Sequence, residues 1–286
     1  MSHGWKRRIA RRTAFASFWG DRPCRKGAAW RGPAAREPAE AEALPREKQR
    51  RRTTRSLEGA ETGEKDNDKG GLSMGWKLVA FDMDGTLTTG RTLWEVMHRK
   101  WGTWESHGLP YWERYRAGGW PYDEFAAMDV KSWAGAPEAM LFEAADEVEL
   151  MPGCEELLTG LRAAGAATAI ISNGLACLGE RLAARFGMAR VLANRHHARQ
   201  GRLTGGIDIL VPYEKKGEAL RKLMAELGAR PEETAAVGDS RSDAAMFAVA
   251  GLGVAFRPSD HHVLNGAHHV VEAGDLRDVA RLLGVA

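Results

Sequence analysis

KLVAFDMDGT, Lys77 to Thr86, is the stretch around which the rest of the chain falls into order. Its apolar run, Lys77 to Phe81, has the length and character of a strand covered on both faces, and it ends in two aspartates and a glycine. Three further runs repeat the design: Ala166 to Ile171, Thr234 to Val237 and Leu252 to Phe256. Helical stretches lie between them. Leu157, Leu158 and Leu161 place one apolar face before the second run, and Leu220, Leu223, Met224 and Leu227 do so before the third. Gly165 and Gly228 stand near the ends of these helices, where C-caps favour glycine. Short apolar strands alternating with helices predict an α/β fold, a parallel sheet with helices on both faces. His196 to Leu210, with QGRLTGG at its centre, reads as a β-hairpin added to that plan.

Composition sets the outer limits. With 286 residues and 44% hydrophobic content, the chain can bury a full core and has room for one large domain with an insertion, or two small ones. Its net charge of +3 hides an asymmetry: residues 1–73 carry 18 Lys+Arg against 10 Asp+Glu, and the remainder carries 23 against 28. Residues 1–73 are dominated by Arg, Ala, Glu, Gly and Pro without a sustained apolar period, so disorder is expected there. Three explanations stand open. Met74 directly precedes the first strand, so the preceding residues are a misassigned upstream extension; or they form a solvated tail; or they serve targeting or nucleic-acid contact, since the first twenty residues carry five basic and no acidic side chains. Cys24, Cys154 and Cys177 form no CxxC pair, and no apolar run approaches the roughly 18 residues of a membrane span. A soluble, cytoplasmic protein is the expectation.

From Thr88 to Val148 the strand–helix rhythm breaks. Trp94, Trp101, Trp104, Trp112, Trp120 and Trp133 fall here, together with Tyr111, Tyr115 and Tyr122. Residues 88–148 are read as a small helical cap inserted after the first strand, into a core formed by residues 74–87 and 149–286. The aromatics then serve as packing in a small domain, or one or two of them line the mouth of a site.

The polar motifs all fall at the carboxyl ends of predicted strands, where open parallel sheets bind ligands. Asp82 and Asp84 are two apart, so both carboxylates can be aimed into one cleft before Gly85 turns the chain. Asp82 can then attack phosphorus to give an acyl-phosphate while Asp84 moves protons. Two carboxylates facing a phosphate dianion require a divalent cation, and Asp239 supplies a third anchor. Mg²⁺ held by Asp82, the Asp84 carbonyl, Asp239, a phosphate oxygen and water satisfies octahedral oxygen coordination. Asp243, four residues on, would orient a ligand water or Lys216. For GDSRSD taken alone, helix capping by Ser240 and Asp243 is the plainer alternative. Ser172, Asn173 and Gly174 end the second strand, where a hydroxyl and backbone N–H groups can hold phosphate oxygens. Lys216 opens a helix in YEKKGEAL, where a cation can neutralise a transferring group, with Lys215 an equal competitor.

Together, DMDGT, Ser172, Lys216 with Gly217 and Glu218, and GDSRSD resemble the motifs of the haloacid dehalogenase superfamily, in the branch that includes phosphoserine phosphatases. The resemblance covers residues 76–284, and the stretches Ala193 to Arg195 and Gly201 to Gly205 are similar too. It implies a Rossmann-like core with a helical cap, Mg²⁺ dependence and hydrolysis of a small phosphomonoester, and it selects Lys216 over Lys215. Where that branch carries a Glu at the cap entry and a cap Arg to read the substrate, this chain carries Arg91 and Asp129, and Ser242 stands in place of an Asn. Arg91 and Asp129 are therefore the expected specificity positions, Arg91 favouring an acidic or doubly phosphorylated metabolite. A phosphotransferase or phosphomutase would share every motif. A non-catalytic phosphate- or RNA-associated module would use the basic N-terminal segment instead. The histidine pairs His196–His197, His261–His262 and His268–His269 lack the carboxylate or cysteine spacing of a metal site and are expected on the surface or in loops.

Overall fold

In the computed structural model, residues 75–286 are described, so the expectations for residues 1–73 and for Met74 lie outside the described residues. Strand β1 is Leu78–Phe81, and all four of its side chains are fully buried. Val79 and Phe81 face a layer formed by α5 (Cys154–Ala163), α6 (Ala176–Phe186) and α9 (Leu276–Leu282), meeting Leu157, Leu161, Leu178 and Val279. Leu78 and Ala80 face the opposite layer, where α7 (Lys216–Leu227) and α8 (Ala244–Phe247) supply Leu220, Leu223, Met224 and Phe247. Alternation sends successive residues to opposite faces, and both faces are covered, which is why the strand is an unbroken apolar run.

The remaining strands of this sheet are β4 (Ala167–Leu175), β5 (Arg190–Arg199), β6 (Arg202–Asp208), β7 (Thr234–Gly238), β8 (Leu252–Phe256) and β9 (His269–Val271). Their spatial order is β6-β5-β4-β1-β7-β8-β9. Every neighbouring pair is parallel except β5 and β6, the expected hairpin. Its turn holds Gln200 at φ 52° and Gly201 at φ 71°, the left-handed pair that a tight two-residue hairpin requires. β1 lies between β4 and β7, so the chain order reverses at its side and the carboxyl end of β1 opens onto the switch point. β4 runs past its expected end at Ile171. Its register with β5 shifts between Ile171 and Leu175, and this irregularity displaces residues 172–174 from the ladder toward that switch point.

A two-stranded neck, β2 (Thr88–Thr89) paired antiparallel with β3 (Glu149–Leu150), carries the helices between them. These are α1 (Leu93–Trp101), α2 (Leu109–Arg116), α3 (Tyr122–Ser132) and α4 (Glu138–Asp146). Thr92 starts α1 by accepting the Glu95 N–H. Trp94 lies 5.6 Å from Trp133 and 6.3 Å from Phe125, ring centre to ring centre. Large rings let short helices build a core without a long aliphatic stripe. Beyond α3, the backbone is fastened to β6: Gly135 N donates to Leu203 O, and Leu203 N to Ala136 O, each at 2.9 Å. The opposite end of α3 reaches the carboxyl edge of the main sheet, where Tyr122 meets Asn173. Among the described residues no helix is long and apolar enough to cross a membrane.

Candidate active site

Asp82 continues the β1 ladder by donating its N–H to Val237 O at 2.9 Å, and the chain then turns back at Gly85. Gly85 is required there twice over. Its φ is 83°, and a Cβ would stand 2.7 Å from Asp239 Oδ2. The close approach seats the end of β1 directly against the loop that follows β7.

Lys216 is buried at the start of α7, with its Nζ 2.8 Å from Asp82 Oδ1 and 2.7 Å from Asp243 Oδ1. Lys215 is exposed and pairs with Glu218, so of the two lysines Lys216 is the one placed against Asp82 and Asp243. The second oxygen of Asp243 accepts Asp239 N at 3.1 Å, Ser240 N at 2.9 Å and Ser240 Oγ at 3.0 Å. Asp243 therefore caps its own loop and grips Lys216 at once. The Asp239 side chain accepts Thr86 Oγ1 at 3.3 Å, while its backbone carbonyl is held by Ser259 N at 2.8 Å and Ser259 Oγ at 3.0 Å. Asp84 Oδ1 is buried with no hydrogen-bond partner among the described residues. Its Oδ2 lies so close to Gly174 that a Cβ there would stand 2.6 Å away. All the motifs thus converge.

Four carboxyl groups, Asp82, Asp84, Asp239 and Asp243, share this buried space with one ammonium. Burial, with Asp243 adding to it, pushes the Asp82 carboxyl up to about 6 despite the opposing pull of Lys216. Burial and then Asp82 push Asp84 up to about 7. Asp239 is raised well above the usual carboxylate range by burial first and Asp82 second. Burial works against the Lys216 ammonium, yet Asp243 and Asp82 together hold its pKa above the usual lysine range. Oxygen atoms of Asp82, Asp239 and Asp243 come within 4.8 Å of one another. Asp243 is already committed to Lys216 and the loop N–H groups, whereas Asp84 Oδ1 has no partner among the described residues and Asp239 has only weak side-chain donors. An all-oxygen set with excess negative charge fits a hard divalent cation.

Ser172 Oγ accepts the Gly174 N–H at 3.0 Å, closing a tight turn beside Asp84. Asn173 uses its side chain elsewhere: its amide donates to Val211 O at 2.8 Å, so only its backbone is left to serve a ligand.

Arg91 and Asp129, the expected specificity positions, each have a partner of their own outside the acidic cluster. Arg91 is 66% exposed, 3.4 Å from Glu95, and lines a surface cavity with Lys100, Glu147 and Glu149 that shares no residue with the acidic cluster. Asp129 is 1% exposed, and its carboxylate meets His98 Nε2 at 3.1 Å. Its carboxyl group, whose pKa burial raises above the usual range, serves the interior of the inserted helices. The histidines also depart in part from expectation. His261 is exposed and His262 half-buried, but Asp260 does stand beside them, 2.7 Å from His262 Nδ1, and caps the short turn they begin. His196 is mostly buried against Glu138, and His268 Nδ1 accepts the Gly253 N–H.

A model of the haloacid dehalogenase-like hydrolase family matches residues 79–248, which include every residue of the cluster. The chain belongs to this family. Among similar proteins, a phosphoserine phosphatase of Mycobacterium tuberculosis is 31% identical over 181 residues, covering 63% of this chain and 44% of its own length. One from Archaeoglobus fulgidus is 29% identical over 185 residues, covering 64% of this chain and 53% of its own length. The chain thus spans about half the length of these two relatives. A solved phosphoserine phosphatase carrying an analogue of its phospho-aspartyl intermediate superposes with a TM-score of 0.65 at 27% identity, over 72% of this chain and 98% of that one.

As a haloacid dehalogenase-like hydrolase, the chain places several residues at the site that its sequence motifs did not flag. Thr86 lies inside the quoted DMDGT stretch without an assigned role, and Ser259 gives no local signal at all. Tyr122 is one aromatic among many in residues 88–148. It stacks on Tyr213 at 5.5 Å, and burial followed by the nearby Asp84 pushes its hydroxyl well above the usual tyrosine range, so it remains a proton donor in hydrogen bonds.

Proposed function

We propose that the chain is a Mg²⁺-dependent phosphatase acting on a small phosphorylated metabolite through an aspartyl-phosphate intermediate. The observation that carries this reading is the meeting of the two aspartates that end β1 with the other motifs, Asp82 with Lys216 and Asp84 with the Ser172–Gly174 turn. An Asp82 carboxylate oxygen bonds to phosphorus while the bond from phosphorus to the ester oxygen breaks. Asp84 suits the accompanying proton transfer because its carboxyl, raised to about 7, holds a proton near neutrality and has an oxygen free to deliver it to the departing oxygen. In the second half, Asp84 takes a proton from the attacking water, the bond between phosphorus and Asp82 breaks, and phosphate and the Asp82 carboxylate are regenerated. Lys216 holds its charge throughout and neutralises the oxygens of the transferring group.

Asp82, the Asp84 backbone carbonyl and Asp239 are the groups we assign to Mg²⁺, which when bound supplies charge neutralisation for the phosphate and the crowded carboxylates. Asp243 keeps Lys216 aimed at Asp82, and Ser172 with the backbone of residues 173 and 174 cradles the phosphate oxygens. The inserted helices act as a cap that excludes water and selects the leaving group. We place the reaction in the cytoplasm, a reducing setting in which Cys154 and Cys177 stay free thiols.

The relatives named as phosphoserine phosphatases put phosphoserine first among the esters to be tried. The test is phosphate release from a panel of small phosphomonoesters, with and without Mg²⁺, by the protein and its Asp82→Asn variant. Mg²⁺-dependent release that disappears in the variant is the expected result. A folded protein that releases phosphate from no ester would overturn the reading.

A further inference from the structure

We propose that Tyr122 is a positioning residue for phosphoryl transfer, its hydroxyl clamping the Asn173 carbonyl so that the Gly174 N–H is aimed into the phosphate cradle. The inference rests on the phosphatase reading above.

The argument begins with one peptide unit. The Asn173 carbonyl and the Gly174 N–H belong to the same rigid, trans plane and point in opposite directions, so whatever holds the one directs the other. Tyr122 Oη donates to that carbonyl at 2.6 Å, and Asn194 Nδ2 donates to it at 2.6 Å as well. On the opposite edge of the plane, the Gly174 N–H meets Ser172 Oγ at 3.0 Å. Gly174 itself lies against Asp84, so this peptide edge and the Ser172 hydroxyl that its N–H holds border the space in front of Asp84, where a transferring phosphate would carry its oxygens.

The two donors differ in origin. Asn194 is wholly buried in β5, and its Oδ1 accepts Leu210 N at 2.9 Å and Val211 N at 3.0 Å, which makes it a fixed part of the sheet. Tyr122 opens α3 in the inserted helices, where its ring is held between Tyr213 at 5.5 Å and Phe125 at 6.0 Å. Tyr213 in turn lies three residues before Lys216. The clamp is therefore complete only while α3 rests on the carboxyl edge of the sheet. Seating of the inserted helices and preorganisation of the cradle become one event.

Tyr122→Phe removes the hydroxyl and keeps the ring between its neighbours. Two readouts are needed: binding of inorganic phosphate in the presence of Mg²⁺, and kcat/KM for two esters with unlike leaving groups, phosphoserine and p-nitrophenyl phosphate. Loss of one hydrogen bond to the cradle is expected to weaken phosphate binding and lower both kcat/KM values by a common factor of about tenfold, with the melting temperature little changed. Unaltered phosphate binding, or a loss that differs between the two esters, would overturn the proposal, the second outcome marking Tyr122 as a contact to the leaving group. If the unsubstituted protein binds phosphate but hydrolyses no ester, the phosphatase reading falls while the phosphate arm still decides the role of Tyr122. If it neither binds phosphate nor turns over, both readings fall together.

Discussion

Asp243 grips Lys216 at 2.7 Å with one carboxylate oxygen and gathers three donors of its own loop with the other. The loop that carries Asp239 and the helix that carries Lys216 are thereby joined through a single buried side chain. Lys216→Met retains most of the side-chain volume but leaves Asp82 and Asp243 without their cation. Stripping a buried pair of one partner costs roughly 3–5 kcal/mol, and urea unfolding should show a loss of that order. A loss below about 1 kcal/mol, the range of exposed pairs, would mean that the cluster is open to solvent.

Crowding of like charge at the cluster predicts a conflict between stability and function. Asp239→Asn removes one of the mutually repelling carboxylates, so in the presence of a chelator the variant should be more stable than the parent by roughly 0.5–2 kcal/mol. The same variant should lose most of the rise in melting temperature that Mg²⁺ gives the parent. Thermal unfolding with chelator and with Mg²⁺ reads both effects, and a variant that is less stable in chelator would contradict the charge argument.

Gly174 has no room for a side chain, since a Cβ would stand 2.6 Å from Asp84 Oδ2 and 2.8 Å from Met83 Cε. Gly174→Ala is expected to destabilise by about 1–3 kcal/mol through overpacking. Its kcat should fall more than its KM rises, because the displaced group is Asp84. Steady-state kinetics beside a thermal melt separates the two consequences.

Asp129 and Arg91 should part company under substitution. Asp129→Ala leaves His98 Nε2 buried without its acceptor, at a cost of about 1–3 kcal/mol in a melt. Arg91→Ala breaks only the exposed pair with Glu95, and it should leave stability within about 0.5 kcal/mol and kcat/KM within about twofold. A large loss of activity in Arg91→Ala alone would restore it as a reader of substrate.

Burial pushes both the Cys154 and the Cys177 thiols up to about 12 from their usual 9.0. Both should resist alkylation at pH 8 in the folded protein and react once it is unfolded, as mass mapping of labelled peptides would show. The sign for stability follows from linkage. The raised folded values mean that each thiol's contribution is fully present below about pH 9 and is lost as pH rises toward about 12, because the unfolded thiols ionise first. Replacement of both by Ser or Ala should flatten that alkaline limb.

Much of this protein was legible along its chain. The four apolar runs, the helices before β4 and β7, and the hairpin turn at Gln200–Gly201 are specified by neighbours within a few residues of one another, and so are the turn at Gly85 and the placing of Asp82, Asp84, Lys216 and Asp239 at strand or helix ends. Pattern and local geometry suffice when the constraint is local.

The tertiary structure alone decided which charges face the chemistry. Arg91 went to an exposed partner, Asp129 to a buried histidine, and Tyr122 to the carbonyl beside the phosphate turn. The Arg91 partner is local, four residues on, but nothing in the near neighbours of Asp129 and Tyr122 distinguishes them, because their partners lie 31 and 51 residues away, the first across the packing of Trp94, Phe125 and Trp133 and the second on the main sheet. A side chain's role in such a place is a property of the contact between elements, and that contact forms only when the inserted helices and the sheet bury their surfaces together.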